Sequence, residues 1–112
     1  HGSMSPWNVR NTLFGWGAGF KRETTVRSAA GNADVAPTIL ALLGHEPDRA
    51  DRAAGVTLDG RVLAEALEGG PDPEQVLEET RVHVARVHGY RAAIQVTEVE
   101  GRRYIDKSWR VS

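Results

Sequence analysis

The sequence predicts an α+β fold: about three helices, with short N-terminal strand(s) ahead of them and a C-terminal β-hairpin behind. Three observations carry that expectation. Val35, Ile39, Leu42 and Leu43 recur at i, i+4, i+7 and i+8, the spacing of one helix face. Val62, Leu63, Ala66 and Leu67 form a second stripe of the same kind. Tyr90, Ala92, Ile94 and Val96 then alternate with period two, and Glu100-Gly101 supplies a turn, which together read as a hairpin.

Thr12, Leu13 and Phe14 favour a short strand, and Gly15, Gly17 and Gly19 break regularity after it. Thr24, Thr25 and Val26 offer a second short strand over residues 23–27. The first helix is expected to start at Asp34 as N-cap, with Pro37 in its first turn, and to stop at Gly44. Residues 46–55 are charged and contain Pro47, so they read as an exposed loop. Asp59 is expected to begin the second helix, which Gly69-Gly70-Pro71 ends. A third is expected from about Asp72 or Pro73 to Val87, with Val76, Leu77, Val84 and Val87 apolar and Gly89 closing it. The returning hairpin strand, residues 103–111, carries Tyr104, Ile105 and Trp109.

A chain of 112 residues fits one domain at most, here 1–112, made of residues 1–70 and a helix plus hairpin over 71–112. Fourteen basic against 15 acidic residues make no electrostatic case for nucleic acid or an anionic membrane. The absence of cysteine excludes a disulfide scaffold and any thiolate metal site. The longest apolar run falls far short of the roughly 20 residues a membrane span needs, and no signal peptide is visible, so a soluble chain is expected. Gly15-x-Gly17-x-Gly19 lacks the Lys-Ser/Thr of a phosphate loop and the helix that should follow it. No Gly-x-Ser-x-Gly elbow occurs either, which leaves Ser5 and Ser28 without a nucleophile's setting.

Residues 31–44, Gly-Asn-Ala-Asp-Val-Ala-Pro-Thr-Ile-Leu-Ala-Leu-Leu-Gly, follow His1-Gly2-Ser3 and Asn11-Thr12 upstream. This combination resembles the last third of an alkaline-phosphatase-superfamily enzyme of the nucleotide pyrophosphatase/phosphodiesterase-like branch. Leu58-Asp59-Gly60-Arg61 and the tail from Tyr104 to Arg110 carry it more weakly. The resemblance implies a truncated piece of an α/β alkaline-phosphatase-like fold and phosphoester chemistry assisted by two zinc-like ions. Of the family's Asp and His ligands only the final histidine maps here, onto His1, and the family's nucleophile has no counterpart. The same three residues ahead of Met4 also read as the trace of a polyhistidine tag and a Gly-Ser linker.

The function this implies is a metal-dependent hydrolase of phosphodiesters, in which metal-bound hydroxide attacks directly and a small-molecule diester is the substrate. The alternative is a catalytically inactive folded remnant or interaction module of a larger phosphodiesterase. A divalent metal, zinc first and manganese second, would need ligands from the residues present. Glu79 and His83 are four apart and would share a face of the third helix, with His88 just beyond its end and His1 from the resemblance. The bland readings are a surface histidine at 83, a helix-terminal charge at 88, a solvated loop around His45 and a cap at Asp34. A piece of a larger sheet exposes strand edges and apolar helix faces. A homodimer through the N-terminal segment or those faces is therefore expected.

Overall fold

A computed structural model describes residues 3–47, 55 and 57–112. The chain divides into two compact units: the described part of residues 1–14 together with Glu78–Ser112, and Gly15–Leu77.

In the Gly15–Leu77 unit, a 3-10 turn, Asn32–Asp34, runs directly into helix α2, Val35–Leu42. (Helix α1, Pro6–Val9, belongs to the other unit.) Asp34 stands at the N-cap position of α2, but its side chain makes no cap bond to that helix. Its carboxylate reaches back and accepts from the Gly31 N–H at 2.7 Å, three residues upstream. Pro37 falls in the first turn, where a missing N–H costs nothing. The helix stops at Gly44, with φ 80°. There Gly44 N–H donates to Ala41 at 3.0 Å and His45 N–H to Leu40 at 2.9 Å, a Schellman end.

The second expected helix is absent. Residues 59–69 are irregular apart from one 3-10 turn, Ala64–Ala66. Their backbone groups are engaged elsewhere in the unit. Arg61 N–H donates to the Asp34 carboxylate at 2.8 Å, and Leu63 N–H to the Thr38 hydroxyl at 3.0 Å. Glu68 N–H donates to Gly19 O at 2.8 Å, and Lys21 N–H to Ala66 O at 3.0 Å. The apolar stripe of this segment holds at Leu63 and Leu67, which are buried without being helical.

The third expected helix is also overturned. Pro73–Gln75 is a single 3-10 turn capped by Asp72, whose carboxylate accepts from Glu74 N–H at 3.0 Å. Glu79–Val87 is then strand β1. Its Thr80, Val82 and Val84 are β-branched at alternate positions, a pattern that fits a pleated surface better than a helix. His88 and Gly89, both at positive φ (46° and 81°), make the two-residue turn that returns the chain as β2, Tyr90–Val99. Glu100-Gly101, again both at positive φ, leads to β3, Arg102–Arg110. The expected hairpin thus exists as β2 and β3, but within a three-stranded antiparallel meander in the order β1-β2-β3. The expected N-terminal strands at 12–14 and 23–27 are not strands; an isolated bridge pairs Phe20 with Leu67 instead. Among the described residues, helices α1 and α2 and one antiparallel sheet stand in place of the α+β arrangement of about three helices.

Within the sheet unit, Ala93, Thr97 and Val99 are buried on β2, the central strand. A bulge between Gln95 and Val96 in the β2–β3 register leaves Asp106 as the extra residue of β3. Helix α1 lies against β3, and Ser108 N–H donates to Met4 O at 2.7 Å, which engages part of the outer edge of β3. By contrast, β1 is exposed at all nine residues.

Gly60 sits where the 59–69 segment passes the start of α2, and a Cβ there would meet Ala33 O at 2.0 Å. Gly60→Ala is expected to destabilise this unit by about 1–3 kcal/mol, as overpacking does. A denaturant melt of the variant checks it, and an unchanged midpoint would refute the close approach.

Candidate functional site

The residues singled out as ligands stand apart. Glu79 opens β1, and its Oε1 accepts from Arg81 Nη2 at 2.6 Å and Nε at 2.9 Å. This exposed pair raises the Arg81 pKa, first through the hydrogen bond and then through its charge. His83 lies on the same face of β1, opposite Ile94. Four residues span about 6 Å along a helix but about 13 Å along a strand, so the expected i, i+4 chelate does not form. His88 is the first residue of the β1–β2 turn, five strand positions from His83. His1 lies outside the described residues. Among the described residues, no three His, Cys, Asp or Glu side chains lie close enough to hold an ion together. The described residues of one copy thus do not by themselves assemble the two-ion centre that the resemblance implies. The glycines of Gly15-x-Gly17-x-Gly19 lie in an irregular loop at the edge of an open groove with Phe20, Lys21, Arg22 and Glu68; no helix starts there.

The structure does gather polar side chains at two places that spacing alone did not reveal. In the Gly15–Leu77 unit, Arg61 and Glu65 form a bidentate pair: Nη1 to Oε2 at 3.0 Å and Nη2 to Oε1 at 2.7 Å. Both side chains are almost fully buried. Arg61 Nη2 also donates to Ala29 O at 2.9 Å, and the Ser28 hydroxyl donates to Glu65 Oε1 at 2.6 Å. Asp34, fully buried, accepts Gly31 N–H on one oxygen and Arg61 N–H on the other. Thr38 donates to Asp34 O at 2.7 Å while accepting from Leu63 N–H. Burial alone would push the Glu65 carboxyl up, but the bonds from Arg61 and Ser28 outweigh it and hold the pKa below the ordinary 4.5. Both carboxylates are thus committed to holding the fold, and neither stands poised as a general base. The Gly-Asn-x-Asp pattern located Asp34, and the weaker Leu58-Asp59-Gly60-Arg61 match included Arg61, but nothing in the spacing joined Arg61 to Glu65.

The second cluster spans the sheet. Thr97 donates to Asp106 Oδ2 at 2.6 Å, so in the 2.8 Å contact between Thr80 and Thr97 the proton must come from Thr80. Gln95 Nε2 donates to the same Asp106 oxygen at 2.9 Å. The bulge turns Asp106 onto the face of Gln95 and Thr97, and its carboxylate terminates a hydrogen-bond chain running across all three strands.

No helix among the described residues is long and apolar enough to cross a membrane. Comparison with protein-family models, with curated proteins and with solved structures gives no match for the chain.

Glu65→Ala would leave Arg61 buried without its counter-charge. A loss of about 3–5 kcal/mol is expected, read as a fall in denaturation midpoint. The pH dependence has a definite sign. A carboxylate whose folded pKa is lowered stabilises the fold above its unfolded value, and that contribution is lost as pH falls through the folded one. The native protein should therefore lose stability as pH drops below about 4.5, and Glu65→Gln should flatten that slope. An equal slope in both proteins would contradict the assignment.

Proposed function

We propose that this chain is a metal-dependent hydrolase of phosphodiesters that acts as a homodimer. The observation that carries the chemistry is the resemblance of residues 31–44, with Asn11-Thr12 upstream, to the alkaline-phosphatase superfamily. In support, that stretch is an ordered turn and helix held through Asp34. A divalent ion, zinc first and manganese second, would polarise a phosphoryl oxygen of the substrate. His83, His88 and Glu79 are the candidate ligands of the described chain, and because one copy keeps them apart, the ion would be held between two.

The support for a dimer is the fully exposed β1. A strand without a neighbour on one side offers unpaired backbone groups to another chain. Antiparallel pairing of two β1 strands about their middle residue would set His83 of each copy directly opposite the other. The two Cβ atoms would then stand about 4.5–5.5 Å apart. Apolar faces of helices over 59–87 no longer serve as an interface, since those helices do not form.

A second reading, a catalytically inactive folded remnant or interaction module, is favoured by one specific fact. The buried acids nearest the motif, Asp34 and Glu65, are committed to internal bonds.

Hydrolysis of bis(p-nitrophenyl) phosphate separates the two. The hydrolase should lose activity on chelation, regain it with zinc or manganese, run as a dimer by light scattering, and lose more than about tenfold in rate in His83→Ala. Absence of hydrolysis with every metal would favour the remnant. Activity from a strict monomer would overturn the two-copy site.

A further inference from the structure

One end of the sheet carries two unanswered positive charges. Arg86 of β1 and Arg91 of β2 stand directly opposite each other. The two-residue turn at His88-Gly89 makes Val87 and Tyr90 the hydrogen-bonded closing pair. The next pair out, Arg86 and Arg91, is then of the non-hydrogen-bonded kind, in which opposing side chains approach most closely. Like charges in that position destabilise a sheet. Among the described residues, no carboxylate forms an ion pair with either guanidinium. A second observation is independent of the first: Arg91 Nε is buried and has no hydrogen-bond partner. An orphaned buried donor costs about 1–3 kcal/mol, and more on a charged group. On the same face, one rung further from the turn, Trp109 lies across from Ala93 and is 39% exposed. The Lys107 ammonium sits 5.3 Å from the centre of its ring.

We propose that Arg86 and Arg91 form a binding site for a tetrahedral oxyanion, inorganic phosphate or a phosphate monoester. Guanidinium groups present paired N–H donors that match the spacing of phosphate oxygens. One dianion between the two removes the cross-strand repulsion. Trp109 beside the pair provides an apolar surface for the organic group of a monoester. A dialkyl phosphate, with one charge and two free oxygens, satisfies the two forks poorly. The site needs no metal and no reaction, so it stands whether or not the chain is a hydrolase.

Calorimetric titration of the full chain in the presence of a chelator tests this, with inorganic phosphate, phenyl phosphate and dimethyl phosphate as ligands. Inorganic phosphate and phenyl phosphate should bind, and dimethyl phosphate should bind at least about tenfold more weakly. Tighter binding of phenyl phosphate identifies the ligand as a monoester resting on Trp109; equal affinity identifies it as the inorganic anion. Arg86→Gln, at an exposed position, and Arg91→Gln should each weaken binding by about tenfold or more, equivalent to about 1.4 kcal/mol. Arg103→Gln, on the opposite face of the sheet, should leave it unchanged. Unaltered phosphate affinity in a folded Arg86→Gln protein, an equal loss in Arg103→Gln, or no binding by the native chain up to about 10 mM would each overturn the proposal.

Discussion

The buried pair of Arg61 and Glu65 is the constraint on which the Gly15–Leu77 unit depends. Two ions withdrawn from water carry a desolvation penalty of several kcal/mol each, which only good geometry and further hydrogen bonds offset. Here the offset is collective. The fork of Arg61 meets both oxygens of Glu65, Ser28 and the Ala29 carbonyl complete the shell, and the Arg61 N–H ties the pair to Asp34. Each member is positioned by the others, so the segment leading into α2 and the 59–69 segment are fixed against each other by polar contacts. Leu63 and Leu67 are the buried apolar residues of that segment, and they lie next to this network in sequence.

The sheet unit is held by different forces. Its buried residues are few, and most of its large apolar side chains are half exposed. Its order comes from backbone pairing, two tight turns and the hydrogen-bond chain from Thr80 to Asp106. The bulge bends β3 and redirects Asp106 in the same step, so strand geometry and side-chain chemistry have one cause. These are interactions that specify register more strongly than they stabilise, and they leave β1 open along its outer edge.

The legible parts of the fold were those written in local chemistry. Gly44 as a helix stop, Pro37 in a first turn and Glu100-Gly101 as a hairpin turn each depend on the dihedral preferences of one or two residues. The illegible parts were decided by distant partners. Val62, Leu63, Ala66 and Leu67 have helical spacing, yet the N–H groups of Arg61, Leu63 and Glu68 bond to Asp34, Thr38 and Gly19 far away in sequence. At 79–87 two periods compete. Val76, Leu77, Val84 and Val87 have helical spacing, whereas Thr80, Val82 and Val84 alternate with period two and the turn at His88-Gly89 favours the strand. A chelate spaced for a helix of 3.6 residues per turn comes apart on that strand. Asp34 was visible from its motif as a cap, although it caps the residue three before it. Arg86 and Arg91 were invisible as a pair until the register set them face to face.

The two tight turns have a consequence for how the chain acquires its structure. β1 pairs with β2 and β2 with β3, each across a two-residue connection, so these contacts close short loops, on the scale of about 1–10 μs for a hairpin. The charged lock joins residues 27, 32 and 37 positions apart, and the chain entropy lost in closing a loop grows with its length. The meander therefore has a low contact order and the lock a high one. Register in the sheet is set by neighbours along the chain, whereas Arg61 and Glu65 meet Asp34, Ala29 and Ser28 only by closing much longer loops.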